Sequence, residues 1–263
     1  MVERSGPPDL LERRARSFGS DAETYDRGRP SYPAALIDDL LAADPRSVLD
    51  VGCGTGKAAV LVAVPGRLVV GIEPDERMAA VAAHHGVDVE IATLESWDPA
   101  GRRFDLLISG QAWHWVDAAA GATKAAEVLR PGGRFAAFWN VMHHRPAVRA
   151  VFDAVYGRHV PGLLTTSVAL GVDATIAARA AVAAAALRAA AFGDVTGELT
   201  TYRWQAEYTP SSWVGLLRTH SDHATLPPAT RTELLDDLTS ALAETGASFT
   251  VDFRTELLAA VRN

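Results

Sequence analysis

The sequence predicts a layered α/β fold built on a mostly parallel sheet, and three observations predict it. A β-branched run, Val48-Leu49-Asp50-Val51, turns abruptly into Gly52-Cys53-Gly54-Thr55-Gly56-Lys57 and then into a helical pattern, which reads as strand, tight turn and helix start. Short apolar strands then alternate with helical segments of moderate length as far as Trp139, as in sheets covered on both faces. An acid, Glu73, closes the second strand, at the carboxyl edge where such folds bind ligands.

Asp9 to Phe18 reads as a short amphipathic helix with Leu10 and Leu11 as its apolar element, followed by a polar segment from Gly19 to Pro30. Ser31 is placed to cap the next helix, with Pro33 in its first turn. Leu36, Ile37, Leu40 and Leu41 form its apolar stripe, and Asp44-Pro45 ends it. In the first strand–turn unit, glycines let a ligand lie against bare backbone, and the helix behind them offers unpaired N–H groups and its positive dipole end. The spacing Gly52-x-Gly54-x-Gly56 is not G-x-G-x-x-G. Nor is it a phosphate-cradling loop, because Gly56-Lys57 is followed by Ala58 and Val51 stands where that loop would open.

Leu68 to Glu73 is the second strand, and Pro74-Asp75-Glu76-Arg77-Met78 opens a helix with acids in its first turn. A carboxylate at Glu73 can accept both hydroxyls of a ribose. Val87 to Ala92 is the third strand and Phe104 to Ser109 the fourth, followed by Gly110-Gln111-Ala112-Trp113-His114-Trp115-Val116-Asp117. Two tryptophans around a histidine at a strand's carboxyl end suit a cavity wall. Arg130-Pro131-Gly132-Gly133 turns into a fifth strand, Arg134 to Trp139. Pro146 to His159 and the alanine-rich Ala174 to Ala191 read as helices, Val195 to Tyr208 as the sixth strand and Ser248 to Val261 as the last. Between these two strands lie helices from Thr209 to His220 and from Ala229 to Thr245.

The glycine loop closely resembles E/D-x-G-x-G-x-G of class I S-adenosylmethionine (SAM) methyltransferases, with Asp50 at the acidic position. Phe18 to Asp26 with Arg29-Pro30-Ser31-Tyr32-Pro33 resembles the flap of the small-molecule members. His114-Trp115-x-Asp117 resembles their HW-x-D signature, and Leu129-Arg130-Pro131-Gly132-Gly133 their LRPGG turn. Within the class the resemblance is to type 11, trans-aconitate methyltransferase-like proteins.

The resemblance implies a three-layer Rossmann-like fold with seven strands in the order 3-2-1-4-5-7-6, the last antiparallel. It divides the chain into a flap (1–30), a SAM-binding core (31–141), a helical substrate cover (142–193) and C-terminal strands and helices (194–263). The implied cofactor is SAM. Its residues would be Tyr25, Arg29, Tyr32, Asp50, Gly52, Gly54, Gly56, Glu73, Pro74, Met78, Thr93, Leu94, Glu95 and Gln111. Met78 fits either against adenine or as a plain core residue. Thr93 departs from the acid of the family, so its hydroxyl or the Leu94 backbone would substitute.

Methyl transfer from a sulfonium is an in-line displacement of an already activated group, so alignment and water exclusion are the main requirements. No metal is required. The catalytic candidates are His114, as proton acceptor or merely as a holder of its loop, and Trp115, as a pocket wall that stabilises the sulfonium. His143, His144, Arg145, Arg218 and His220 would favour a carboxylate acceptor if they faced the cavity. The expected acceptor is a small molecule, at a carboxylate or hydroxyl. The alternatives are an RNA or protein methyltransferase, or a non-catalytic SAM-binding regulator.

A net charge of −7 over 263 residues argues against broad attraction to nucleic acid or anionic membrane. Cys53 is the only cysteine, which suits a reducing compartment and the role of a small buried filler. No signal-peptide core or membrane-length apolar run is read, so a cytoplasmic monomer or homodimer is expected. Heavy use of alanine, glycine and arginine points to a GC-rich bacterial source.

Overall fold

A computed structural model describes residues 22–170, 174–195 and 199–263. The helix expected at Asp9 to Phe18 and the first part of the flap lie outside the described residues. The first helix, α1 (Ala22–Gly28), precedes α2 (Ala34–Leu41). Ser31 does not cap α2. Pro33 occupies the cap position without a side-chain bond, and the Ser31 carbonyl instead accepts from Asn140.

The sheet begins with β1 (Ser47–Val51), buried along its whole length, as a central parallel strand requires. One turn of helix, α3 (Ala59–Val62), separates it from β2 (Leu68–Ile72). The helical dipole expected behind the glycine loop is therefore small, because four residues align few peptide units. Then come α4 (Glu76–His84), β3 (Asp88–Glu90), β4 (Phe104–Gly110), a 3₁₀ turn (Trp113–Trp115) and α5 (Ala118–Val128). Asp75 caps α4 by accepting from the N–H groups of Arg77 and Met78.

Strand β5 (Leu129–His144) is far longer than the Arg134–Trp139 expected. Leu129 pairs with Phe104, and the ladder resumes with Arg134 opposite Leu106. The Pro-Gly-Gly turn is thus a bulge inside the strand. Beyond Trp139 the strand continues because β8 (Phe249–Arg262) pairs with it as far as His144 opposite Val251.

Between β5 and β8 lie α6 (Pro146–His159), α7 (Ala174–Ala189), β6 (Phe192–Gly193), β7 (Thr200–Tyr208), α8 (Pro210–Arg218), α9 (Ser221–Ala224) and α10 (Pro228–Ala243). The strand order is β3-β2-β1-β4-β5-β8-β6, with β7 also on β8. This is the expected order with the sixth strand in two pieces, so eight strands are formed rather than seven. Ala191 and Asp194 have positive φ, 65° and 45°, on either side of β6, and such kinks interrupt a ladder. Strands β1 to β5 run parallel, and β8 runs antiparallel to β5, β6 and β7.

One face of the sheet packs Leu49, Val51, Leu107 and Phe135 against α5 and α7, and the other packs Val48, Leu106 and Phe138 against α2 and α3. A separate core joins the far end of β5, β7 and β8 to α6, α8 and α10 around Phe152, Trp213 and Phe253. The stretch 142–193 is thus shared between two cores: α6 belongs to the outer one, while Ile176, Ala183 and Leu187 of α7 pack against the main sheet. No helix among the described residues is long and apolar enough to cross a membrane.

Candidate active site

The glycine loop wraps the carboxyl end of β1. Gly52 has φ 66°, and a Cβ there would stand 2.6 Å from the Ala112 Cβ. Gly56 has φ 85°, and a Cβ there would press on Val87 and Ala82 at 3.1 and 3.2 Å. These two are glycines for packing and for backbone conformation. The nearest atom to a Cβ added at Gly54 is the Met78 Cε at 3.5 Å, so Met78 packs against the loop and is itself buried.

Glu73 is bound to this loop. Its Oε2 accepts the Gly54 N–H and its Oε1 the Asp75 N–H, each at 3.0 Å. Burial raises its pKa, and those two N–H groups offset part of the rise. Asp50 differs. It is 1% exposed, and neither carboxylate oxygen has a hydrogen-bond partner. Burial pushes its pKa up to about 7; the Ala59 N–H pulls it down by less, and the Glu73 charge adds to the rise.

A cleft with about 540 Å³ of open space lies between loop and flap. Of the residues expected at the cofactor, Tyr25, Arg29, Tyr32, Asp50, Gly52, Gly54 and Gln111 line it together. Tyr32 sets its ring edge-on to Phe138 at 4.7 Å, and its hydroxyl occupies the place a Cβ on Gly110 would take. Burial raises the Tyr32 pKa well above the ordinary value, so it stays a neutral phenol. Gln111 has φ 58°, a strained conformation for a non-glycine residue, and donates from Nε2 to the Asn140 carbonyl at 3.3 Å.

Arg29 lines the cleft while donating to the Thr219 hydroxyl at 2.8 Å and carbonyl at 2.9 Å, with its guanidinium 4.9 Å from the Tyr25 ring centroid. On the opposite side of α1, Asp26 meets His85 at 2.9 Å and Lys57 at 3.8 Å. Burial alone would raise the Asp26 pKa, but bonds with Thr55 and His85 and the Lys57 charge lower it.

The remaining expected residues lie outside the cleft lining. Pro74 is exposed before α4. Thr93 bonds the Ser96 hydroxyl at 3.0 Å, Leu94 is buried in the main core, and Glu95 accepts the Asp117 N–H at 2.9 Å. His114 and Trp115 form the 3₁₀ turn after β4, their rings 4.9 Å apart. Arg145 pairs with Asp252 at 3.6 Å, and Arg218 is exposed at the end of α8.

Residues not anticipated from the sequence complete the cleft, among them Thr55, Lys57, Gly110, Asn140 and Met142. Asn140 carried a usable signal. It is a lone amide after the apolar strand Phe135–Trp139, it is 1% exposed, and it joins Ser31 to Thr255.

Residues 48–133 match the methyltransferase domain family. Over these residues the chain is similar to that domain. Two curated relatives place it further. An uncharacterized methyltransferase of Mycobacterium tuberculosis is 43% identical over 131 residues, 49% of this chain and 54% of that protein. Trans-aconitate 2-methyltransferase of Mycolicibacterium gilvum is 33% identical over 92 residues, 34% and 35% of the two chains. The chain thus spans about half the length, or less, of these curated relatives.

A putative type II methyltransferase from Anaeromyxobacter dehalogenans superposes with a TM-score of 0.59 at 24% identity, over 88% of this chain and 97% of that one. The cyclopropane synthase MmaA2 of M. tuberculosis superposes at 0.53 with 17% identity, over 97% and 99%. Both have the class I methyltransferase fold, and so does this chain.

The cofactor of the methyltransferase domain is SAM, and the residues present fit it. A buried, unpartnered carboxylate at Asp50 suits an ammonium, and the open backbone at Gly54 admits a close-lying ligand. Among the described residues no cluster of histidine, cysteine and acids suits a metal.

Proposed function

We propose that this chain is a SAM-dependent methyltransferase acting on a small-molecule acceptor, at a carboxylate or hydroxyl. The observation that carries the reading is Asp50: a carboxylate fully inside the protein, unpaired, beside a bare glycine loop. Burying such a group without a partner costs several kcal/mol, which a bound ammonium would offset. SAM, when bound, supplies a methyl group already activated on a sulfonium.

The chain's own residues then have positional tasks. Asp50 holds the ammonium, the Gly52–Gly54 backbone lies against the nucleoside end, and Glu73 presents its remaining lone pairs to a ribose. Tyr25, Arg29 and Tyr32 cover the methionine end and exclude water. Pro74, Met78, Thr93, Leu94 and Glu95 are proposed around the adenine. A small acceptor is favoured because Tyr25, Arg29, Pro30 and Tyr32 wall the cleft, and because the chain's net charge of −7 does not suit a nucleic-acid track. Cytoplasmic action as a monomer or homodimer belongs to the same proposal.

Calorimetry with S-adenosylhomocysteine tests it. Saturable one-site binding is expected, together with label transfer from SAM to a small acid or phenol. Absence of binding overturns the reading.

A further inference from the structure

Five residues in and behind the cleft form one hydrogen-bonded chain. Its head is Trp204, whose ring is stacked on Phe253 at 4.3 Å and whose indole N–H donates to the Thr255 hydroxyl at 2.9 Å. The Thr255 hydroxyl donates to the Asn140 Oδ1 at 2.6 Å, and the Asn140 Nδ2 donates to the Ser31 carbonyl at 3.0 Å. The Asn140 carbonyl accepts from the Gln111 Nε2 at 3.3 Å. Thr255 stands directly opposite Asn140 in the β5–β8 ladder, and Trp204 lies on β7, across β8 from it. The chain thus crosses three strands before it reaches the cleft.

Its direction is fixed at both ends. An indole nitrogen only donates, so the Thr255 oxygen accepts there and keeps its one hydrogen for Asn140. A backbone carbonyl only accepts, so Ser31 must meet the Asn140 Nδ2 and not the Oδ1. Turning the amide over would set two carbonyl oxygens against one another. Asn140 is 1% exposed and Thr255 0%, so a lost bond here leaves a buried polar group unsatisfied.

Asn140 and Gln111 line the cleft, and so does Tyr32, the residue after Ser31. The Tyr32 ring packs on Phe138, two residues before Asn140 on β5. The Gln111 φ of 58° persists in a non-glycine residue only where the surroundings hold it. Its backbone N–H on the Phe138 carbonyl at 2.9 Å and its side chain on Asn140 supply that hold.

We propose that Asn140 is a positioning residue of the site. Locked in one orientation by Trp204 and Thr255, it holds Ser31, and with it the Tyr32 ring, and it holds the Gln111 side chain as well. It acts on the ligand through Tyr32 and Gln111. That the ligand is SAM rests on the methyltransferase reading above. The direction of the chain and its hold on Tyr32 do not.

Asparagine occurs twice in the sequence, at 140 and 263, so ¹⁵N-asparagine labelling isolates the two side-chain amides. Without cofactor, the Asn140 Nδ2 protons should exchange with solvent about tenfold or more slowly than those of Asn263. Thr255→Val should remove most of that protection and Thr255→Ser should keep it. Equal exchange of the two amides overturns the lock. Asn140→Asp keeps the acceptor for Thr255 but turns an oxygen toward Ser31. In 3-fluorotyrosine protein, the Tyr32 ¹⁹F resonance, assigned by its loss in Tyr32→Phe, should move toward the solvent-exposed position in Asn140→Asp. Wild type and Thr255→Ser should retain the buried position.

Calorimetry should show S-adenosylhomocysteine binding weakened about tenfold or more by Asn140→Asp, about three- to tenfold by Thr255→Val and less than about twofold by Thr255→Ser. A chain that only stabilises the sheet would lower the unfolding midpoint yet leave the Tyr32 signal and the affinity of the folded protein unmoved, and that result overturns the proposal. Should Asn140→Asp fail to fold, Thr255→Val against Thr255→Ser decides on the same two readings. If wild type binds no S-adenosylhomocysteine, the exchange and ¹⁹F results stand and only the identity of the ligand falls.

Discussion

Asp50 couples stability to function at a single side chain. Its pKa rises from 3.8 to about 7 in the folded chain. Between those values the folded state keeps a proton that the unfolded chain has released, so this group's contribution falls as pH rises. The loss begins near the unfolded value, is complete above about pH 7, and amounts to about 4 kcal/mol. Asp50→Asn should therefore match wild type near pH 4 and exceed it by about 1–3 kcal/mol at pH 8 without cofactor, because an amide still needs partners there. Urea unfolding at both pH values measures this. The same variant should lose about 100-fold or more in affinity for S-adenosylhomocysteine. In wild type, affinity should weaken below about pH 7, with a proton released on binding that calorimetry in two buffers detects.

At this scale the glycines and the acids were legible, because alternating glycines after a β-branched run, and an acid closing the next one, break any simple packing pattern. Lys57 and Met142 were not, because their place in the cleft depends on how neighbouring elements approach.

Among the elements, α1 is the one that closes the site. It is fixed on one side through Asp26 to His85 and Lys57, and Arg29 just beyond it is fixed on the other side to Thr219. Ligand exchange requires at least one side to release. Thr219→Val removes one acceptor of Arg29 without touching the cleft lining. It should raise hydrogen exchange over residues 22–30 and speed dissociation of S-adenosylhomocysteine about 3- to 10-fold. Stopped-flow displacement measures the second effect, and an unchanged rate would show that the far side alone controls exchange. The flap was readable as tyrosines and an arginine ahead of the first strand, but its anchors were not, since Thr219 is remote in sequence. From the sequence alone β5 ends at Trp139, because Asn140, His143 and His144 look unlike strand residues. Pairing with β8 overrides that local preference.

Across the molecule, two layers on the sheet and a separate outer core share the load. The outer core centres on Trp213, stacked on Phe152 at 5.7 Å and edge-on to Tyr208 at 5.2 Å. Beside it lies a buried chain in which Asp222 meets His223 Nδ1 and the Tyr156 hydroxyl meets His223 Nε2, each contact 2.7 Å. Tyr156→Phe leaves the His223 Nε2 without its partner and should cost about 1–3 kcal/mol, while Trp213→Ala should cost about 3–5 kcal/mol. Thermal unfolding measures both. If only the outer core loosens, the transition should split in two, with the earlier step missing from fluorescence probes in the main sheet. The strand order followed from family resemblance and the layering from alternation. The sharing of 142–193 between two cores did not, because an alanine-rich helix has no strong apolar stripe to declare which surface it covers.

The single strand β8 is the common neighbour of β5, β6 and β7. During synthesis on the ribosome, everything from Leu129 onward waits for it with open edges, and those edges are sticky. A premature stop anywhere before Phe249 should therefore yield inclusion bodies rather than a smaller working enzyme. Supplying Phe249–Arg262 as a detached peptide offers the most direct chemical rescue.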